Sequence, residues 1–85
     1  MEDIESRIRN FLGEHFSVPE DLRIEDSLLD SGMVDSMGVL SIVVWLEDEF
    51  GVMVDDEDVV PENIDSVANL VRYVSARLDE TGTAA

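Results

Sequence analysis

Aspartate stands directly before serine four times in this chain, at Asp26-Ser27, Asp30-Ser31, Asp35-Ser36 and Asp65-Ser66. Such a pair has two bland uses, turning a loop and capping a helix, because both side chains offer oxygens to free backbone amides. It also has a chemical use, since a serine hydroxyl can be modified or can act as a nucleophile. Nucleophilic catalysis needs a base oriented by a third group and an oxyanion hole. The only histidine, His15, follows an amphipathic stripe, Asp35 adjoins Ser36 rather than orienting an imidazole, and no Gly-x-Ser-x-Gly occurs. His15 reads as a helix-end residue at the edge of the core, and no enzyme is expected. The acidic run DDEDVVPENID lacks the glycine and the spaced glutamate of an EF-hand loop, so only weak, non-specific cation binding is expected there.

The elements that position these pairs follow from hydrophobic spacing. From Asp3 to Phe16, Ile4, Ile8, Phe11 and Leu12 recur every three or four residues among charged ones, which predicts an amphipathic helix. Residues 17–35 have no sustained period and form a long structured loop, pinned by Leu22, Ile24, Leu28, Leu29 and Val34. A second helix is predicted over Ser36–Phe50 with Gly51 as its C-terminal stop, followed by an extended Val52, Met53 and Val54. The acidic segment broken by Pro61 allows at most a short helical turn. A last helix from about Ser66 places Val67, Leu70, Val71, Val74 and Leu78 on one face, with Ile64 packing back on its first turn. The expected fold is all-α: a small three- to four-helix bundle of up-and-down type. It forms one domain over residues 1–79, with residues 80–85 a mobile tail.

Composition limits the partners. Eighty-five residues allow one modest core, and 45% hydrophobic content argues against disorder. No apolar run is long enough to span a bilayer, and the acidic start is unlike a signal peptide, so a cytoplasmic protein is expected. With no cysteine, any thiol the protein uses must be imported. Twenty-one acids against five arginines give a net charge of −16, which repels nucleic acid and anionic membranes, favours a monomer and steers the chain toward basic protein surfaces.

The four pairs then separate. Asp26-Ser27 and Asp30-Ser31 lie in the loop and read as turns, while Asp35-Ser36 and Asp65-Ser66 each open a helix. On the second helix Val39, Ile42, Val43, Leu46 and Phe50 fill the core-facing stripe, leaving Met37, Val44 and Trp45 outward beside Ser41 and Asp48. An exposed apolar patch of this kind marks a binding surface. The last helix has no such surplus; its outward positions are Asn69, Arg72, Tyr73 and Arg77, and Ser66 reads as an ordinary cap. The first turn after Asp35 offers unpaired amides and the positive end of a helix dipole, an environment suited to a phosphodiester on Ser36. Capping is the commoner role of such a serine, and by these rules both roles stay open.

The residues Asp35-Ser36-Met37, Leu46-Glu47-Asp48-Glu49-Phe50-Gly51 and Pro61-Glu62-Asn63-Ile64-Asp65-Ser66, with helix order and length, resemble the phosphopantetheine-dependent carrier proteins of fatty acid, polyketide and nonribosomal peptide synthesis. The likeness runs from about Ile4 to Leu78. It implies that Ser36 accepts 4′-phosphopantetheine from coenzyme A through a magnesium-using phosphopantetheinyl transferase. The imported thiol would hold an acyl or aminoacyl group as a thioester for loading, synthase and tailoring enzymes. The resemblance implies that Asp35 helps the transferase recognise the site and that Met37, Val44, Glu47 and Asp48, flanked by Ser41 and Trp45, lie where partners dock. The chain departs from fatty-acid carriers, which usually have acids where Gly38 and Ser41 stand and a small residue at Trp45, where the indole would narrow an acyl groove. Asp-Ser-Met-Gly with Pro-Glu-Asn is closer to free-standing carriers of specialised biosynthesis. Fatty-acid synthesis, or an acidic adaptor with unmodified Ser36, are the alternatives.

Overall fold

The computed structural model describes residues 3–16 and 18–81, side chains excepted at 80 and 81. Four α-helices follow in order: α1 (Ile4–His15), α2 (Ser36–Phe50), α3 (Pro61–Ile64) and α4 (Val67–Thr81), with a single 3-10 turn at Asp56–Asp58 before α3. No strand occurs among the described residues. The expected all-α bundle is thus the fold, with α4 packed against each of the other three helices.

Each long helix begins where a side chain satisfies its free amides. Asp3 accepts from the Ser6 N–H at 2.8 Å, Asp35 from the Gly38 N–H at 2.8 Å, and Ser66 from the Asn69 N–H at 3.1 Å. These bonds hold the first turn of each helix and fix where the chain enters it. Helix α2 stops at Gly51, whose left-handed backbone (φ 69°, ψ 24°) lets its N–H reach the Glu47 carbonyl at 3.0 Å. A residue with a Cβ resists that conformation.

The core is a single cluster built on Ile8, Leu12, Ile42, Leu46, Leu70 and Val74, joined by Leu22, Leu28 and Val34 from the long loop. Burial of large aliphatic side chains drives this packing, each contributing about 1.5–3 kcal/mol on the transfer scale. Leu22, Leu28 and Val34 pin the loop as the hydrophobic pattern predicts, with Leu29 half-buried beside them. Ile24 departs from that expectation: its side chain is exposed, and it is the Ile24 carbonyl that anchors the loop by accepting the Ala68 N–H at 2.9 Å. The short helical turn expected near Pro61 is α3, and Pro61 takes its first position, where the missing N–H would have had no helical partner. The segment therefore holds two short helical pieces rather than one. The tail lies beyond the described residues from residue 82 onward, and α4 itself extends to Thr81.

Candidate functional site at the head of the second helix

The four Asp-Ser pairs receive four different hydrogen-bond arrangements. Ser27 donates to the Asp65 carboxylate at 2.8 Å and accepts the Asp30 N–H at 2.9 Å. Ser31 donates to the Leu28 carbonyl at 3.1 Å. Ser66, buried, donates to Asn69 Oδ1 at 2.6 Å while capping α4. Ser36 alone of the four makes no side-chain hydrogen bond among the described residues. It is exposed, and it occupies the first position of α2.

The reason lies one residue earlier. Asp35, with extended backbone, is the cap, and its carboxylate takes the Gly38 N–H. Capping, one of the two roles the sequence leaves open for Ser36, is filled by its neighbour. The Ser36 and Met37 amides have no partner among the described residues, and no acidic side chain occupies the first turn of α2. A hydroxyl free to react thus stands beside unpaired N–H donors at the positive end of a 15-residue helix. Those features fit a phosphodiester.

Around this point the exposed apolar residues are Met37 (75% exposed), Leu40 (61%) and Val44 (64%). Met37 and Val44 lie where the periodicity puts them, with Ser41, Glu47 and Asp48 exposed beside them. Leu40 joins them, a residue that the sequence expectation does not include. The signal for it was its spacing, one turn beyond Ser36 and one before Val44, outside the stripe that Val39, Ile42 and Leu46 already fill.

Trp45 needs correction. Its ring does not stand free but stacks on Phe11 of α1, with centroids 4.4 Å apart and planes at 15°, and meets the edge of Phe50 at 5.5 Å. It is half-buried at the rim of the face, between α1 and α2. The indole is thus committed to the α1 contact rather than to narrowing a groove elsewhere. Offset aromatic pairs of this kind add about 0.5–1.5 kcal/mol beyond burial. Arg7 reinforces the same seam, its guanidinium lying 4.5 Å over the Phe50 ring and paired with the Glu49 carboxylate. His15 ends α1, exposed, with its ring 4.5 Å from that of Phe11.

Gly38 has a steric role. A Cβ there would stand 2.8 Å from Phe16 Cε1 and 3.0 Å from Val34 Cγ1, so the first turn of α2 rests directly on the end of α1. This close approach accounts for the lack of a side chain at position 38. At the other end of α2, Glu47, Asp48 and Glu49 crowd the negative pole of the helix dipole, an arrangement that costs stability rather than adding to it. Glu49 is paired with Arg7, and Glu47 accepts the Val54 N–H at 3.0 Å. Asp48 has neither kind of partner among the described residues.

No cluster of histidine, cysteine, aspartate or glutamate among the described residues is arranged to hold a metal ion. No helix among them is long and apolar enough to cross a membrane.

Residues 3–74 match the family described as "Phosphopantetheine attachment site". The chain is 35% identical over 75 residues to "Acyl carrier protein 2" of Pseudomonas aeruginosa, spanning 87% of this chain and 92% of that protein. It is 35% identical over 78 residues to "Acyl carrier protein" of Thermotoga maritima, spanning 91% and 94% respectively. With the helical fold, these matches show that the chain belongs to the phosphopantetheine-bearing acyl carrier proteins, a carrier with covalently attached 4′-phosphopantetheine.

Proposed function

We propose that Ser36 is the attachment point of the 4′-phosphopantetheine arm, that Asp35 is read by the transferase that installs it, and that Met37, Ser41, Val44, Trp45, Glu47 and Asp48 form the surface on which partner enzymes dock. The observation that carries the assignment is the contrast among the Asp-Ser pairs. Three of the serine hydroxyls are engaged in hydrogen bonds within the fold, whereas that of Ser36 is exposed and unengaged among the described residues. When bound, the arm supplies a terminal thiol that holds an acyl or aminoacyl group as a thioester. The chain's own contribution is to present the hydroxyl, to offer the Ser36 and Met37 amides to the phosphodiester, and to hold both rigid through the Asp35 cap and the Gly38–Phe16 contact.

The cargo belongs to specialised polyketide or nonribosomal peptide metabolism in this reading. Gly38 and Ser41 support it, since the face below Ser36 lacks the acids that a fatty-acid carrier would present, and Gly38 cannot gain a side chain without displacing Phe16. A fatty-acid role would require docking through Glu47 and Asp48 alone. Loading by a fatty-acid malonyl transferase as efficient as that of an ordinary fatty-acid carrier would overturn the specialised assignment.

The attachment site is tested by incubating the protein with coenzyme A, magnesium and a promiscuous phosphopantetheinyl transferase. The intact mass rises by one phosphopantetheine in the wild type and in Ser27→Ala and Ser31→Ala, and does not rise in Ser36→Ala. No gain in the wild type, with a transferase active on a control carrier, would contradict the reading.

A further inference from the structure

A chain of hydrogen bonds and packing contacts runs from Asp65, through the long loop, to the residue before Asp35-Ser36. Asp65 closes α3, where its N–H reaches the Pro61 carbonyl at 3.0 Å, and directly precedes the Ser66 cap of α4. From that corner it holds the loop through side chain and backbone alike. Its half-buried carboxylate accepts Ser27 Oγ at 2.8 Å and the Leu29 N–H at 3.0 Å, and its carbonyl accepts the Leu28 N–H at 2.6 Å. Ser27 Oγ passes the connection on by accepting the Asp30 N–H at 2.9 Å. Leu28, fully buried, accepts on its own carbonyl both Ser31 Oγ at 3.1 Å and the Val34 N–H at 3.1 Å. Val34 is buried in the core and stands immediately before Asp35-Ser36.

We infer that Asp65 is a positioning residue for the transfer of phosphopantetheine to Ser36, acting through Ser27 and the loop it fastens. The inference rests on Ser36 as the attachment point. Transfer joins Ser36 Oγ to the phosphorus on the pantetheine side of the coenzyme A pyrophosphate and breaks the bond from that phosphorus to the bridging oxygen. The adenosine bisphosphate portion leaves with the electron pair, and the hydroxyl proton goes to a base of the transferase. Such a displacement needs the attacking oxygen in line with the bond that breaks, and a misplacement of about 1 Å can cost about 10²-fold. Helix α2 fixes only part of that placement. The Asp35 cap and the packing of Gly38 on Phe16 and Val34 hold its first turn, but the direction from which the chain enters at Val34 is set by the loop. Burial of Leu28 and Val34 is non-directional, and the bonds from Asp65 supply the direction. The Asp65 carboxylate serves neither of the helices it joins, since capping of α4 falls to Ser66 and closure of α3 to the Asp65 N–H. It is committed instead to Ser27 and Leu29, thirty-eight and thirty-six positions away.

The residues of the docking face take no part in these bonds, so their loss lowers kcat of arm transfer and spares KM for the carrier. Steady-state kinetics of a phosphopantetheinyl transferase, with coenzyme A and magnesium saturating and the carrier varied, compare the unsubstituted chain with Asp65→Ala, Asp65→Asn, Ser27→Ala and the Asp65→Ala/Ser27→Ala double variant. Peptide mass spectrometry first locates the arm on Ser36. Asp65→Ala and Ser27→Ala still load to completion, but kcat falls about tenfold in each while KM stays within about twofold. Asp65→Asn keeps an oxygen for Ser27 Oγ and the Leu29 N–H and restores kcat to within about twofold of the unsubstituted chain. The double variant is no slower than the slower single one, because both substitutions break one path. A merely stabilising role gives a different pattern: unfolded carrier is no substrate, so partial unfolding raises the apparent KM and leaves kcat at saturation unchanged. That pattern, or Asp65→Asn as slow as Asp65→Ala, overturns the positioning role, and fully additive losses overturn the path through Ser27. Should circular dichroism show Asp65→Ala unfolded, Ser27→Ala decides alone, since it leaves the Leu28 and Leu29 bonds to Asp65 in place. Hydrogen exchange checks the unsubstituted chain, where the Leu29 and Val34 amides exchange at least about tenfold more slowly than in an unstructured peptide; no protection there overturns the role as well. Unchanged kcat with the arm on Ser36 removes the positioning role and leaves the attachment site standing, whereas an arm found elsewhere removes both.

Discussion

At the scale of single residues, the division of labour between Asp35 and Ser36 decides the site. The sequence shows four similar dipeptides and two helix starts, and local rules favour a capping serine at each. They could not show that Asp35 turns its own carboxylate onto Gly38, because that depends on the backbone angles of one residue. Once Asp35 caps, Ser36 is spared. Asn caps as well as Asp, so Asp35→Asn should leave unfolding free energy within about 0.5 kcal/mol of wild type, whereas Asp35→Ala should cost about 1 kcal/mol. Both substitutions should slow transfer of the arm if the transferase reads the charge, and urea denaturation beside a transfer assay separates the two effects. Tyr73 offers a second residue-scale test. It is half-buried on α4 and donates to the Asp58 carboxylate at 2.8 Å, so it is tied down rather than pointing freely outward as its helix position suggests. Burial first, and the Asp58 hydrogen bond second, push its pKa up to about 12. The unfolded phenol titrates near pH 10, so the folded state holds this proton more tightly. Its contribution to stability is full below about pH 10 and is lost as pH rises through about 12. As the only tyrosine, its phenolate absorbance can be followed directly, and it should appear near pH 12 in the folded protein and near 10 in urea.

At the scale of elements, α2 has two faces with opposite sensitivities. Leu46 and Ile42 are buried in the core, so Leu46→Ala should cost about 2–5 kcal/mol, read by chemical denaturation. Leu40→Ala and Val44→Ala should change stability by less than about 0.5 kcal/mol, yet weaken binding to any enzyme that docks on this face. The reverse pattern would mean that the exposed face is held within the fold rather than reserved for partners. Both long outer helices and α2 were legible from spacing alone, because each buries one continuous stripe. Trp45 was not, because its position borders both faces and its partner, Phe11, lies on a different helix. The long loop was legible as apolar but not in its fastening. Asp65 accepts from Ser27 Oγ and from the Leu29 N–H, and its carbonyl accepts the Leu28 N–H, contacts between residues more than thirty positions apart that no local pattern contains. A lone proline such as Pro61 signals both a stop and a start. Which it is depends on whether helical turns follow, and here one does.

At the scale of the whole molecule, charge and the lack of cysteine set how the protein works. A chain of net charge −16 repels itself, so raising ionic strength should raise its melting temperature while lowering the rate of association with enzymes that present basic surfaces. Thermal scans and transferase kcat/KM over a salt series check both signs at once. A chain without a thiol can hold thioesters only through an arm that brings one, which makes the place of attachment the central claim. The most direct measurement cuts the modified protein before aspartate and fragments the peptide from Asp35 to Glu47, in which Ser36 and Ser41 are the only serines. The phosphopantetheine mass should reside on Ser36 alone; its appearance on Ser41, or on a peptide carrying Ser27, Ser31 or Ser66, would contradict the account.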